Sequence, residues 1–323
     1  MFITSTLKEP IMFDDKDLLS IDVAKMYYDL DKNQSEIAKA LNLSRPTVSK
    51  LLKYAKEKNY VNIVINDPRD QSSNLELALQ EKYHLNAVRI AFAPIDEEQQ
   101  IKKYIGIRTA EYLDEIIKDG DIIGVSWGNT LYEVAKELMP KNLKGIELIQ
   151  LKGGMSYSHY ETHDIEIMQK FVDAYNAFGQ FVPLPVIFDS IELKNLIDQD
   201  RHIANVLEQM KRANIALYTI GSVTKNSLLY KMNYISDEEF TYLQEHAIGD
   251  ICSRFFDSNG DICYEELNTR TFGIELAELK NKEKSILIAG GDKKIQAIHT
   301  ALKHQLANTL VTDRFTAKKL LSL

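Results

Sequence analysis

Apolar residues near the N-terminus recur at the spacing of short helices that each bury one face. Ile21, Ala24 and Tyr28 would form the buried stripe of a first helix over residues 18–30. A second helix should follow, for which Ser35 is the expected N-cap. The pattern predicts consecutive short helices at the start of the chain.

A third helix is predicted to begin directly after a tight turn. Asn42 occupies the turn, because asparagine tolerates left-handed backbone, and Ser44 is a good N-cap. Pro46 falls in the first turn, where its missing N–H costs nothing. The buried stripe of this helix consists of Val48, Leu51, Leu52 and Ala55.

The opposite face of the third helix carries polar and basic side chains. Short polar groups would reach base edges in the major groove, while lysine and arginine would hold phosphates. The candidate DNA-binding residues are Ser44, Arg45, Thr47, Ser49, Lys50 and Lys53. The alternative is a surface three-helix bundle with a solvated basic face. The pattern A-x-x-x-N-[LIV]-S-x-x-T-V-S-K favours a helix-turn-helix that binds double-stranded operator DNA.

The chain changes character after residue 66. Residues 60–66 are expected to form a short strand, and residues 68–74 are polar and rich in turn formers. We therefore predict a helix-turn-helix domain over residues 1–66 and an effector domain over residues 67–323. A chain of 323 residues is long enough for one small and one large core.

Apolar strands alternate with amphipathic helices throughout the larger segment. Buried strands separated by helices indicate an α/β fold with a doubly wound, mainly parallel sheet. The predicted strands cover residues 87–91, 121–125, 145–151, 181–184, 214–220, 285–289 and 309–312. The predicted helices cover residues 99–118, 130–139, 163–177, 201–213, 293–303 and 314–321.

Ligands of such sheets bind beyond the carboxyl ends of the strands, and three loops there carry glycine. Small residues let the backbone approach an anion, and the helix that follows offers free N–H groups. The candidate phosphate-binding residues are Ser126, Gly128, Asn129 and Thr130 in the first loop, and Gly290, Gly291 and Lys294 in the third. Each loop alone is also typical of an ordinary glycine turn. Neither the first loop nor the third matches a nucleotide-binding motif.

Lys152 lies in the second loop, directly after a predicted strand. Among apolar neighbours its amine would lose hydration and its pKa would fall, so that it could attack an aldehyde and form a Schiff base. The alternative is a charged lysine that pairs with a phosphate or carboxylate.

Asp250 precedes a hairpin turn predicted at residues 258–260, at one edge of the sheet. It would accept hydrogen bonds from sugar hydroxyls or else cap a turn.

Composition and charge argue against several classes of protein. The net charge of −8 argues against a protein that coats nucleic acid along its whole surface, although residues 32–58 carry seven basic and two acidic side chains. Cys252 and Cys263 lack metal-ligand spacing and are expected to be reduced thiols, with no metal or other cofactor. We find neither a signal peptide nor an apolar run of about 18 residues, so we expect a cytoplasmic protein without membrane contact.

Six stretches of the sequence carry a resemblance that spans nearly its whole length. They are SRPTVSKLLKYAKEK, KDGDIIGVSWGNT, QLKGG, ANIALYTIG, AIGDICSRFFD and ILIAGGDKK. On these the chain resembles the SorC family of sugar-sensing bacterial regulators. The resemblance implies an effector domain related to sugar-phosphate isomerases, without catalytic turnover, in a repressor that a phosphorylated sugar releases from DNA. Because two recognition helices must meet successive major grooves, we expect a homodimer or homotetramer.

The most similar family members control deoxyribonucleoside catabolism. For these the resemblance implies deoxyribose 5-phosphate as the effector, bound as a Schiff base at Lys152, with its phosphate held by residues 126–130 and Lys294. Asp292 departs from the family pattern, in which a cation or a small residue is more usual at this position. A carboxylate there would disfavour phosphate unless it points away. Two alternatives stay open. One is a different phosphorylated sugar held without a covalent bond, and the other is an aldolase or isomerase with Asp250 and Glu161 as weak acid–base candidates.

Overall fold

The computed structural model describes residues 14–58, 60–61, 72–154 and 162–323. The chain divides into two compact units, Met1–Arg69 and Asp70–Leu323. Most of the strand expected at residues 60–66 lies outside the described residues. Residues 72–74, expected to be part of a turn-rich boundary, instead begin a helix.

The first unit is a bundle of three helices, α1 (Asp15–Tyr28), α2 (Gln34–Ala40) and α3 (Arg45–Glu57). Apolar side chains from all three helices meet in one core. This core consists of Val23, Ala24, Ile37, Ala38, Val48, Leu51, Leu52 and Ala55. The stripe predicted for the third helix is therefore buried, which leaves its polar face outward.

The caps of α2 and α3 show why these helices begin where they do. Asn33, not the predicted Ser35, caps α2, because its Oδ1 accepts the N–H groups of Ser35 and Glu36 at 3.0 Å each. Glu36 in turn accepts the N–H of Asn33 at 2.9 Å, which completes a capping box. Ser44 caps α3 as predicted and accepts the N–H of Thr47 at 3.2 Å.

The second unit contains a seven-stranded parallel sheet and a small antiparallel sheet. The strands are β1 (Ala87–Ala91), β2 (Ile122–Val125), β3 (Glu147–Gln150), β4 (Phe178–Gln180), β5 (Ile215–Tyr218), β6 (Ile220–Gly221), β7 (Gly249–Ile251), β8 (Arg254–Phe256), β9 (Lys284–Ile288) and β10 (Thr309–Asp313). The large sheet has the order β1-β10-β9-β5-β2-β3-β4, and the small sheet has the order β6-β7-β8. The parallel order confirms the predicted α/β class. Val125 lies opposite Gln150 and Leu217, so the loops that follow β2, β3 and β5 leave the sheet at one edge.

The described part of the second unit also contains helices, most of which pack around the large sheet. They are α4 (Ser72–Tyr83), α5 (Glu98–Ile116), α6 (Asn129–Glu137), α7 (Asp164–Tyr175), α8 (Ile191–Asp198), α9 (Arg201–Arg212), α10 (Leu228–Lys231), α11 (Asp237–His246), α12 (Glu265–Arg270), α13 (Leu276–Lys280), α14 (Ile295–Lys303) and α15 (Arg314–Ser322). On β5, Ile215 and Leu217 belong to one apolar core, and Ala216 and Tyr218 belong to another. The sheet is thus buried on both sides, as its continuous apolar strands predict.

Two predicted strands were placed wrongly. The strand expected at residues 181–184 is β4, three residues earlier, because Pro183 cannot donate a hydrogen bond to the ladder. The strand expected at residues 214–220 is divided between the two sheets, since β5 ends at Tyr218 and β6 begins at Ile220. Thr219 is the residue at which the chain passes from one sheet to the other.

The turn predicted at residues 258–260 is present, and Phe256 bridges Ile262 in antiparallel register across it. A second, tighter turn that was not predicted lies closer to Asp250. Cys252 and Ser253 form the turn between β7 and β8, with φ of +52° and +67°. Two left-handed residues in a two-residue loop match the twist of a hairpin. The hairpin of β7 and β8 belongs to the small sheet and not, as predicted, to an edge of the large one.

The described ranges contain no helix with the length and apolar character needed to cross a bilayer. In the same ranges, no group of His, Cys, Asp and Glu side chains is arranged to hold a metal ion. Cys252 and Cys263 are both free thiols.

Candidate functional site

The first glycine loop connects β2 to α6 at the carboxyl edge of the large sheet. Ser126 donates its backbone N–H to a carbonyl of β5 at 2.9 Å, and the Trp127 indole donates to the Gly153 carbonyl at 2.8 Å. Gly128, with φ of +138°, precedes α6 and provides no side-chain cap. The first turn of α6 therefore keeps free N–H groups beside the buried hydroxyls of Ser126 and Thr130, which is an arrangement suited to an anion.

Lys152 follows β3, and its side chain is only 6% exposed. Its Nζ donates to Ser253 Oγ at 3.1 Å and lies 3.6 Å from the centroid of the Trp127 ring. A bridge to Gly273 holds its backbone. Burial lowers the pKa of the Lys152 amine, and the Asp250 carboxylate opposes this effect. The amine therefore loses its proton more readily than an exposed lysine, as a nucleophile toward a carbonyl must.

Asp250 is the buried carboxylate beside this amine. Its Oδ2 accepts the backbone N–H of Ser253 at 3.0 Å. Gly221 leaves room for it, because a Cβ at that position would come within 1.8 Å of Asp250 Oδ1. Burial raises the pKa of Asp250, while the charges of Lys152 and Lys294 lower it. The carboxylate thus interacts electrostatically with both lysines of the predicted site.

The third loop follows β9 and ends in a 3-10 turn, Asp292–Lys294. Lys294 is half-buried. Burial, together with the positive charge of Lys102, lowers the pKa of Lys294 to about 8. This pKa leaves the ammonium largely protonated at neutral pH, so that it can pair with a phosphate.

The two glycines of this loop are needed for its shape. A Cβ at Gly290 would come within 2.4 Å of Asp313 Oδ2, so the position has no room for a side chain. Gly291 has φ of +95°, and its N–H donates to Thr316 Oγ1 at 2.8 Å. That N–H group is therefore already engaged in the ligand-free chain.

Asp292, the departure from the family pattern, is neutralised by a neighbour. Its carboxylate pairs with Lys319 of α15, which also contacts Asp96 at 3.3 Å. The carboxylate is directed at this exposed ammonium, which offsets part of its repulsion of a phosphate in the third loop.

One cavity of about 330 Å³ brings most of the predicted site residues together. Its lining includes Ser126, Gly128, Asn129, Thr130, Lys152, Asp250 and Lys294. Gly290 and Gly291 line a smaller cavity of about 190 Å³ instead. The two cavities are neighbours, because both are lined by Glu98, Ser222, Lys293 and Lys294. The cavity of about 330 Å³ that contains Lys152 lies in the range of small-ligand pockets, about 300–1,000 Å³.

A third cavity in the same unit is larger, about 940 Å³, but its chemistry is wrong for an anion. Its lining is strongly acidic and includes Asp189, Glu192, Asp237, Glu238, Glu239 and Glu266. Arg270, which also lines it, is already paired with Glu239. We therefore assign an anionic ligand to the cavity that contains Lys152.

The sequence interpretation missed several residues of this cavity, among them Glu98, Lys102, Thr219, Ser222, Thr224, Asn226 and Ser227. Thr219 follows β5, so the strand-end rule that selected Lys152 would also have selected it. The Oγ1 of Thr219 is buried without a hydrogen-bond partner in the described part of the chain. Glu98 and Lys102 come from α5, where no loop motif indicates them. Glu161, a weak acid–base candidate, lies outside the described residues.

In the first unit, the polar face of α3 is available for contact. Arg45, Ser49, Lys50 and Lys53 are exposed, and Thr47 is half-buried. The hydroxyls of Ser44 and Thr47 lie 2.7 Å apart at the start of the helix. The positive charges of Arg45 and Lys50 thus lie on the same surface as short hydroxyl groups, as a recognition helix requires.

Comparison with known proteins gives the family of the chain. Residues 67–322 match the Sugar-bind family of sugar-binding domains. The chain is 46% identical over 308 residues to the deoxyribonucleoside regulator of Bacillus subtilis (strain 168), which covers 95% of this chain and 98% of that protein. It is 31% identical over 307 residues to the sorbitol operon regulator of Klebsiella pneumoniae, covering 94% of this chain and 97% of that protein.

Solved structures give the same result. The full-length sorbitol operon regulator SorC from Klebsiella pneumoniae superposes with a TM-score of 0.72 at 29% identity, covering 95% of this chain and 100% of that chain. A DeoR family regulator from Listeria monocytogenes superposes with a TM-score of 0.71 at 25% identity, covering 78% and 100%. The chain belongs to the SorC-type family of sugar-binding transcriptional regulators. Since these relatives are transcriptional regulators and residues 67–322 match a sugar-binding domain, the chain is a transcriptional regulator with a sugar-binding domain.

Proposed function

We propose that this regulator represses a deoxyribonucleoside catabolic operon and leaves its operator when deoxyribose 5-phosphate forms a Schiff base with Lys152. The observation that carries the proposal is the buried Lys152 amine, which shares one cavity with an anion-binding loop and Lys294. Similarity to the deoxyribonucleoside regulator of Bacillus subtilis supports the choice of sugar.

The chemistry of this sugar matches the two ends of the cavity. Its open form carries an aldehyde at C1 and a phosphate at the far end. The neutral Lys152 amine attacks C1 to form a carbinolamine, which loses water and leaves an imine. The phosphate is held by Ser126, by the N–H groups of residues 128–130 and by Lys294, while Asp250 accepts a sugar hydroxyl.

The regulatory step couples this cavity to the DNA-binding helix. In the proposed arrangement, residues 1–66 bind DNA and residues 67–323 bind the effector, in a homodimer or homotetramer on a pseudo-palindromic operator. The effector can act only by binding one state of the oligomer more tightly than another. We expect the favoured state to hold its two α3 helices at the wrong spacing for the operator.

Borohydride trapping tests the covalent step. Reduction of the full-length chain with deoxyribose 5-phosphate should fix an adduct, and peptide mass spectrometry should find it on Lys152. Lys152→Met should give none. Lys293→Met is the matched control, because Lys293 lines the same cavity but is exposed, and this variant should keep the adduct. Release from DNA without an adduct would support a sugar phosphate that is bound without a covalent bond.

A mobility-shift assay tests the regulatory step. The unaltered chain should leave operator DNA as deoxyribose 5-phosphate is added, and Lys152→Met should stay bound under the same conditions. DNA binding that is unchanged at millimolar ligand would contradict the proposed effector. Catalytic consumption of the sugar phosphate would instead support the aldolase or isomerase alternative.

A further inference from the structure

A carboxylate lies at the end of the cavity where the proposed ligand needs positive charge. Glu98, the first residue of α5, lines the cavity that holds Lys294. Its Oε1 accepts a hydrogen bond from Lys102 Nζ at 2.6 Å, one helical turn further along. Lys102 lines the same cavity, and its charge acts on Lys294. The ammonium groups of Lys102 and Lys294 and the carboxylate of Glu98 therefore line the same part of the cavity.

The two partners of the ion pair differ in exposure. The Lys102 side chain is 23% exposed, whereas the Glu98 side chain is 60% exposed. An exposed ion pair is held weakly, so Glu98 can turn into water at little cost. A phosphate dianion beside Lys294 would repel Glu98 and attract Lys102, because all three side chains line the same cavity.

From this geometry we infer that Lys102 is a further binding residue for the effector's phosphate group, and that Glu98 occupies its ammonium until the anion enters. The identity of the effector rests on the proposed function, but the pair would recognise the phosphate of any phosphate monoester. Glu98 is thus an internal competitor, and its negative charge raises the ligand concentration at which the site fills.

The fluorescence of Trp127 provides a direct measurement on the full-length chain. Trp127 is the single tryptophan, and its ring lies 3.6 Å from Lys152 Nζ. The titrants are deoxyribose 5-phosphate, inorganic phosphate and unphosphorylated deoxyribose. In Glu98→Gln both phosphates should bind about three- to tenfold more tightly, since one nearby negative charge is removed. Deoxyribose should bind equally to both proteins because it carries no charge.

The reverse variant separates the roles of the two side chains. Lys102→Met should bind both phosphates about tenfold more weakly, because a charge-assisted contact is lost. In that background the gain from Glu98→Gln should shrink, since Glu98 no longer has an ammonium to occupy. Glu111→Gln is the control. It breaks an ion pair with Arg108 at 3.1 Å on the same helix, outside the cavity lining, and should leave affinity unchanged.

Several outcomes would overturn the inference. They are unchanged or weaker phosphate binding by Glu98→Gln, full affinity in Lys102→Met, and equal gains with deoxyribose and with its phosphate. Thermal unfolding of each variant shows whether the protein is folded. If the unaltered chain forms no adduct with deoxyribose 5-phosphate while Glu98→Gln still tightens inorganic phosphate, the proposed effector is wrong and the anion site stands.

Discussion

Substitution of Arg254 should strongly destabilise the second unit, although this residue does not line the cavity. It is 1% exposed, and its guanidinium donates to the carbonyls of Ile274 at 2.7 Å, Gly273 at 3.0 Å and Asn268 at 3.1 Å. It also pairs with Glu275 at 2.7 Å. One side chain thus joins the β7–β8 hairpin to the segment that bridges the backbone of Lys152.

Arg254→Met removes these contacts while keeping much of the apolar stem. At least three backbone carbonyls lose a donor, and each buried polar group left unpaired costs about 1–3 kcal/mol, less where water reaches it. Glu275 is 52% exposed, so the loss of its partner leaves no buried charge and adds no more than about 1 kcal/mol. We therefore expect a loss of about 3–5 kcal/mol in the free energy of unfolding. For a unit of this size, the loss corresponds to about 6–20 °C in Tm.

Urea unfolding followed by circular dichroism measures this loss, and borohydride trapping on the folded fraction measures its effect on Lys152. The matched control is Arg108→Met. Arg108 is 27% exposed and pairs with Glu111 at 3.1 Å, so its removal should cost no more than about 1 kcal/mol. A loss below about 1 kcal/mol for Arg254→Met would refute the reasoning, because the buried carbonyls would then not depend on the guanidinium.

Three further predictions concern the cavity and the DNA-binding unit. Thr219→Val should raise the free energy of unfolding of the ligand-free chain by about 1 kcal/mol, because it removes a buried hydroxyl that has no hydrogen-bond partner among the described residues. A lower Tm for this variant would contradict the prediction. Affinity for the sugar phosphate should fall as pH rises through about 8, where Lys294 loses its proton, and also below about 6, where the phosphate gains one. In Lys294→Met the decline above pH 8 should vanish in the same fluorescence titration. Lys50→Ala should weaken operator binding and reduce its salt dependence by about one counterion, as measured by mobility shift at several salt concentrations.

The strands could be predicted because their burial leaves a simple pattern. β2 (IIGV), β3 (ELIQ) and β9 (KSILI) each contain at least two adjacent Ile or Leu residues, and each lies within the predicted range or one residue from it. Because parallel strands end at one edge of a sheet, the loops after them could be assigned to one site. Ser126 and Lys152 were therefore found from the sequence alone. The apolar pattern of α1 was less reliable. Val23, which was not part of the predicted stripe, is buried, whereas Tyr28, which was part of it, is only half-buried.

What the sequence could not show depends on contacts between distant positions. Ser253 accepts from Lys152 across 101 residues of chain, and Asp292 meets Lys319 across 27. No local pattern encodes either pair. α8 was missed because it buries none of its residues, so no core requirement fixes its pattern. By contrast, α11 begins with a capping box formed by Ser236 and Glu239, which is a local signal present in the sequence.

The two lysines of the cavity illustrate how burial assigns different tasks to one residue type. A Schiff base needs a neutral amine, whereas a phosphate needs an ammonium. Lys152 is 6% exposed against an aromatic ring, so the loss of water favours its neutral form. Lys294 is only half-buried, and with a pKa of about 8 it stays largely protonated at pH 7. Exchanging the two environments would abolish both proposed functions, because a charged amine does not attack the aldehyde carbon C1 and a neutral amine does not hold a phosphate.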